Sequence, residues 1–155
     1  MQNKLEITRV FNAPVALFWD LWTKTENIVN WWGPKGFTTK VIQNDFRPGG
    51  KWEFIMVGPD GAEYPAIGIY QDIELHKKIT STDEFGDDFK VTTDLDLPKI
   101  LLFTGLFEDV YGKTKLTFIY EHPTLADRDK HIAMGVDQGW NSSLDKLEEY
   151  IATKN

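Results

Sequence analysis

The chain contains no cysteine, which excludes disulfides, thiol catalysis and cysteine-bound metal. Its three histidines, His76, His122 and His131, lie far apart and none stands at metal-ligand spacing from another, so all three read as surface or packing residues. No glycine-rich loop opens a helix in the way that cradles phosphate, because Pro48-Gly49-Gly50 leads into a strand. Ser142-Ser143 lacks the strand-to-helix setting of a nucleophile elbow. Neither a metal nor another cofactor is therefore expected. Lys and Arg form no cluster and the net charge is −7, so nucleic acid and anionic membrane surfaces lack an electrostatic basis as partners. No apolar run approaches the length of a bilayer span, and Met1 to Glu6 contains no secretory apolar segment, so a cytoplasmic location is expected.

What is present is aromatic. Six Trp and ten Phe occur in 155 residues of 41% apolar content, a length that suits one domain, 1–155, with its core over about 5–152. Such a surplus serves either an aromatic-rich core or the walls of a cavity. Alternation predicts a strand over Leu5 to Phe11, and Ala13-Pro14 then opens a helix with Val15, Phe18, Leu21 and Trp22 on one side. A second short helix is predicted around Glu26 to Trp31, ending at Gly33-Pro34. From Phe37 the period becomes two, and six strands follow: Phe37 to Asp45, Gly50 to Val57, Ala62 to Ile73, Lys77 to Glu84, Ile100 to Asp109 and Thr114 to Tyr120. Pro59-Asp60-Gly61 and Tyr111-Gly112-Lys113 supply turn chemistry for antiparallel hairpins. Residues 85–99 read as a long mobile surface loop. A final helix starts at Pro123-Thr124, with Thr124 as N-cap and Asp127 in the reciprocal position, and is expected to run to about Ala152. Its apolar stripe is Ala133, Val136, Trp140, Leu144, Leu147 and Ile151. These periods specify an α+β fold.

Several motifs add to this reading: Arg9-Val10-Phe11-Asn12-Ala13-Pro14, Trp31-Trp32-Gly33-Pro34-Lys35-Gly36-Phe37, Asp45-Phe46-Arg47-Pro48-Gly49-Gly50, Gly58-Pro59-Asp60-Gly61, and the segment from Met134 to Asp145. Together they resemble bacterial proteins related to the activator of the heat-shock chaperone ATPase, a branch of the START-like (SRPBCC) superfamily. The resemblance, from about Glu6 to Ile151, implies a helix-grip fold in which a curved antiparallel sheet wraps around a long C-terminal helix, with two short helices after the first strand. It identifies a scaffold rather than a substrate, because one scaffold hosts many functions.

Within that fold, alternation puts Trp52, Phe54 and Met56 on the face that looks under the helix. Tyr70, Phe103 and Phe118 extend the wall from neighbouring strands. Phe107, Leu116 and Tyr120 share the alternation, which leaves open which side chains reach a cavity and which fill core. Val136, Asp137, Trp140 and Leu144 face it from the helix, Asp137 at the edge of the stripe. Gly68 and Gly105 inside strands signal a bend, a bulge or a close approach. Gly135 and Gly139 inside the final helix call for compensation by close packing or for a helix that flexes. One of Trp31 and Trp32 is expected under the helices and the other near a pocket mouth. Asp45 and Arg47 are expected to brace their turn.

The leading expectation is a binder of a small, largely apolar molecule. An enzyme of the cyclase, dehydratase or hydrolase type, with Asp137, Tyr70 and Tyr64 as candidate acid–base groups, is the alternative. A chaperone-interaction module is a third; the eukaryotic co-chaperone's separate N-terminal domain is not expected here, since the chain starts directly at the first strand. Self-association as a homodimer stays open.

Overall fold

A computed structural model describes residues 3–84, 100–133 and 135–154. The loop expected over 85–99 lies outside the described residues. The elements are β1 (Lys4–Phe11), α1 (Val15–Thr23), α2 (Thr25–Ile28), β2 (Thr38–Asn44), β3 (Lys51–Val57), β4 (Glu63–Glu74), β5 (Lys78–Glu84), β6 (Ile100–Val110), β7 (Lys113–Glu121), α3 (Leu125–Ala133) and α4 (Val136–Ala152).

All described strands join one curved antiparallel sheet in the order β1-β7-β6-β5-β4-β3-β2. Sequential strands pair antiparallel from β2 to β7, and β1 completes the order against β7, with Leu5 opposite Tyr120 and Phe11 opposite Thr114. The ladder is interrupted between Val41 and Gln43 on β2 and between Tyr70 and Asp72 on β4. Irregularities of this kind bend a strand and raise local twist, which helps the sheet curve. Pro65 sits where β4 pairs with β3 at Ile55 but has no described β5 partner, so its missing N–H interrupts no ladder there. Gly68 has a different reason. A Cβ at this position would lie 2.1 Å from the Thr82 carbonyl oxygen and 2.5 Å from the Trp52 ring. The glycine is what lets the Trp52 indole lie flat against β4.

The concave face is filled from the helical side. Phe18, Leu21 and Trp31 are fully buried, and the Trp31 indole donates to the Leu21 carbonyl at 2.8 Å. On α4, Leu144, Leu147 and Ile151 are buried, and Trp140 packs on Phe118 and Phe103 of the sheet at ring separations of 4.6 and 6.0 Å. The helical stripe and the aromatic strand face thus meet.

Two expectations are corrected. The single final helix is two: Gly135 adopts φ of 86°, a left-handed conformation unfavourable for residues with a Cβ, and separates α3 from α4. Gly135 is therefore the boundary residue rather than an interior glycine. Gly139 does lie within α4, where a Cβ would meet the Pro34 ring only at 4.0 Å. The break also turns Ala133 out of the stripe, leaving it exposed at the end of α3. The Thr124 cap is present, with Thr124 Oγ1 accepting from the Asp127 backbone N–H at 3.1 Å.

Candidate functional site

The segment Trp31 to Phe37 is pinned to α4 by polar contacts. The Lys146 ammonium donates to the carbonyl oxygens of Gly33, Phe37 and Pro34 at 3.1, 3.3 and 3.5 Å, and Ser142 Oγ accepts from the Lys35 backbone N–H at 2.8 Å. Burial pushes the Lys146 ammonium pKa down, with Glu149 opposing. The Thr39 hydroxyl donates to the Trp32 carbonyl. These anchors send the two tryptophans opposite ways, Trp31 under α1 and Trp32 toward the interior between α4 and β3. Removing the ammonium in Lys146→Met should lower stability by about 1–2 kcal/mol. It should also speed amide hydrogen exchange across 33–37, and unchanged exchange there would show that the lysine does not hold the loop.

The Asp45–Gly50 turn closes another side. Arg47 Nε reaches both Asp45 carboxylate oxygens at 2.8 and 2.9 Å, so the pair does brace the turn. Backbone bonds from Gly49 N–H to the Tyr70 carbonyl and from Tyr70 N–H to the Gly50 carbonyl bind the turn to β4. Phe46 meets Tyr70 edge-on at 5.0 Å, and the Tyr70 hydroxyl donates to Asn44 Oδ1 at 2.6 Å. Burial pushes the Tyr70 phenol pKa upward.

Between these anchors and the sheet lie two cavities of about 70 and 200 Å3. Trp32, Asp83, Tyr120 and Trp140 belong to both and form their common wall. Every residue lining the smaller cavity is aromatic except Ile28, Ile79, Ser81 and Asp83. The larger adds Met56, Ala66 and Pro34 to a rim formed by Val136, Gly139 and Ser143 of α4 and by His131 of α3.

Of the residues selected from sequence, Trp52, Phe54, Tyr70 and Phe103 line the smaller cavity, Met56 and Val136 the larger, and Trp140 both. Three do not line either. Phe118 and Leu144 are fully buried core, Phe118 backing the Trp140 ring, because their places on strand and helix sit beneath the cavity wall. Asp137 is half-buried on α4, one residue past Val136 and rotated away from the lining. Tyr64, an acid–base candidate, packs against Phe37 at 5.9 Å outside both cavities.

At the polar centre of the common wall the sequence points to Trp140 and leaves Tyr120 between cavity and core, whereas Asp83 goes unmarked. The Tyr120 hydroxyl donates to Asp83 Oδ2 at 2.6 Å and accepts from Trp140 Nε1 at 3.1 Å. Burial raises the Asp83 carboxyl pKa to about 6, against a lowering by the Tyr120 hydrogen bond and with a smaller push from Glu84. Burial, then the adjacent Asp83 charge, holds the Tyr120 phenol pKa well above its ordinary value. The available signal was local: Ile79, Ser81 and Asp83 share one face of β5 by alternation, which puts a carboxylate on an inward row.

Two of the histidines, expected as surface or packing residues, pack together in the interior. His122 and His131 are both buried, with His122 Nε2 and His131 Nδ1 at 2.9 Å. His122 Nδ1 lies 3.0 Å from the Asn3 carbonyl, which only accepts, so this nitrogen carries the proton. Burial, and secondarily His122, pushes the His131 pKa down to about 4. Nine residues of separation hid the pair because the β7–α3 turn folds it together. Among the described residues no group of three or more His, Asp or Glu is placed to hold a metal ion. No described helix is long and apolar enough to cross a membrane.

A curved antiparallel sheet gripping a C-terminal helix, with cavities between them, defines a START-like helix-grip protein. Residues 12–152 match the family model described as Activator of Hsp90 ATPase homolog 1-like protein, and the chain belongs to that family. Among solved structures it is similar to a Staphylococcus epidermidis protein at 30% identity and a TM-score of 0.82, covering 100% of this chain and 93% of that one. A Mycobacterium smegmatis protein shares 26% identity with a TM-score of 0.83, over 96% and 90% of the two chains. An AHSA1 protein from Silicibacter pomeroyi, at 22% identity and a TM-score of 0.79 over 98% and 99%, is similar in fold. Comparison with curated proteins gives no match.

Proposed function

We propose that this protein binds a small, largely apolar molecule in the cleft between the sheet and α4. The observation that carries the reading is the pair of adjoining cavities with nearly continuous aromatic and aliphatic walls and few polar groups. Apolar walls supply affinity, and sparse polar groups fix orientation. The larger cavity, about 200 Å3, is below the roughly 300–1,000 Å3 of drug-sized sites, so the occupant is compact or extends through the mouth. The Trp52 indole nitrogen supports the same reading: it is buried with no partner among the described residues, and a ligand acceptor would remove that deficit.

The test is saturable binding of an environment-sensitive apolar dye to the native protein. Phe54 is the residue to vary, since it lines the smaller cavity and meets Trp32 at 5.1 Å. Phe54→Leu keeps an apolar side chain but removes the ring, and should weaken dye binding about two- to tenfold, the range expected from a lost aromatic contact. Dye that fails to saturate would mean a closed interior rather than a binding cleft.

A further inference from the structure

Asp83 is the feature that an ordinary apolar site does not need. It stands in the common wall of both cavities, its Oδ2 takes one hydrogen bond from Tyr120, and no described lysine or arginine lines either cavity. Around it the walls are π faces: Trp32 meets Phe54 at 5.1 Å and Trp140 at 6.4 Å, and Trp140 lies nearly parallel to Phe103 at 6.0 Å. One carboxylate set among aromatic faces, with no described cationic side chain in the lining, is the complement of a positive charge carried on an apolar body. The carboxylate supplies the counter-ion, and the ring faces, electron-rich at their centres, attract the same cation. We propose that the ligand is an organic ammonium, a protonated amine with an apolar or aromatic body, whose charge is held by Asp83 within the aromatic wall.

This proposal rests on the binder reading and adds the ligand's charge to it. Tyr120 is the positioning residue: its hydroxyl occupies Oδ2 and leaves Oδ1 as the oxygen that an ammonium would reach. Among the described residues, the titratable groups around Asp83 are Tyr120 on β7, His131 on α3 across the larger cavity, Tyr70 on β4 across the smaller, and Glu84 beside it on β5. His131 is held neutral by its burial, so it does not compete for the carboxylate.

The experiment compares 2-phenylethylamine with 2-phenylethanol, nearly isosteric probes of which only the first is charged at neutral pH, by displacement of the apolar dye. Wild-type protein should bind the amine at least tenfold more tightly than the alcohol, and Asp83→Asn should bring the two within about twofold. Asp72→Asn, an exposed acid on the neighbouring strand, should keep the preference, which separates a local counter-ion from the general field of an acidic protein. Below pH 6 amine affinity should fall toward tenfold per pH unit as Asp83 takes up a proton, while alcohol affinity stays level. Equal binding of the two probes, or a preference that survives Asp83→Asn, overturns the ammonium assignment and leaves the apolar binder standing. Dye binding with no displacement by either probe has the same consequence. Absence of saturable dye binding overturns both. If the Asp83→Asn variant does not fold, the wild-type comparison decides together with its pH profile, and an amine preference that stays level below pH 6 overturns the assignment to Asp83.

Discussion

Gly68→Ala is expected to destabilise the fold by at least about 3 kcal/mol, at or beyond the upper end of the cost of overpacking a core. The new methyl group would fall 2.1 Å from the Thr82 carbonyl oxygen and 2.5 Å from the Trp52 ring. Moving the carbonyl disturbs the β4–β5 pairing, where the Ile69 N–H already bonds to Thr82 Oγ1 at 2.9 Å. Moving the indole drives it into the smaller cavity that it lines. Neither adjustment is cheap, and a domain's whole stability is only about 5–15 kcal/mol. Urea unfolding should show a lower midpoint with an unchanged slope. A midpoint equal to wild type would mean that β4 is not held against Trp52 as described.

The second large effect runs the other way. Asp83→Asn should stabilise the protein at pH 7 by about 3 kcal/mol, the free energy separating a carboxyl pKa of about 6 from the ordinary 3.8. For a domain of this size that is a rise in Tm of about 6–12 °C. The sign follows from proton binding: between about pH 4 and 6 the folded state holds the Asp83 proton more tightly than the unfolded chain does. Stability from this residue is therefore present at low pH, falls as pH rises to about 6, and stays reduced above. Asparagine keeps an acceptor for the Tyr120 hydroxyl and carries no charge to bury.

His131 contributes the opposite slope. Its pKa is pushed from 6.5 to about 4, so its contribution is full above pH 6.5 and is lost as pH falls toward 4, on the order of 3 kcal/mol in all. The two groups offset each other in the wild type between about pH 4 and 6. Asp83→Asn removes one of them, so the variant's Tm should fall steadily on acidification while the wild type's changes little over the same window. Thermal unfolding followed by circular dichroism from pH 4 to 7 measures both curves. Parallel curves would show that Asp83 does not titrate in this window.

The α+β class, the strand-to-helix order and the turns were legible because each is written in local periods and turn residues. Trp52, Phe54 and Met56 alternate on β3, and Thr124 caps α3 as its spacing with Asp127 indicates. The family resemblance supplied the grip of sheet on helix, which no period contains. Alternation assigns a face but not a depth, which is why Phe118 and Leu144 shared a face with cavity residues yet proved to be core. The break at Gly135 was hidden because a glycine is compatible with a helix interior as well as with positive φ, and only the path of the chain chooses.

By itself, then, the sequence determined which side chains face inward and that most of them are aromatic. Tertiary structure alone decided the polar partners in the cavity wall and in the buried histidine pair. Asp83 and Tyr120 are separated by 37 residues and Tyr120 and Trp140 by 20, and they meet because the β5-β6-β7 pairing and the packing of α4 set their distances. His122 and His131 meet through the turn into α3. A hydrogen bond depends on an approach of about 3 Å between atoms, and strand register and helix position fix that distance where local spacing along the chain does not.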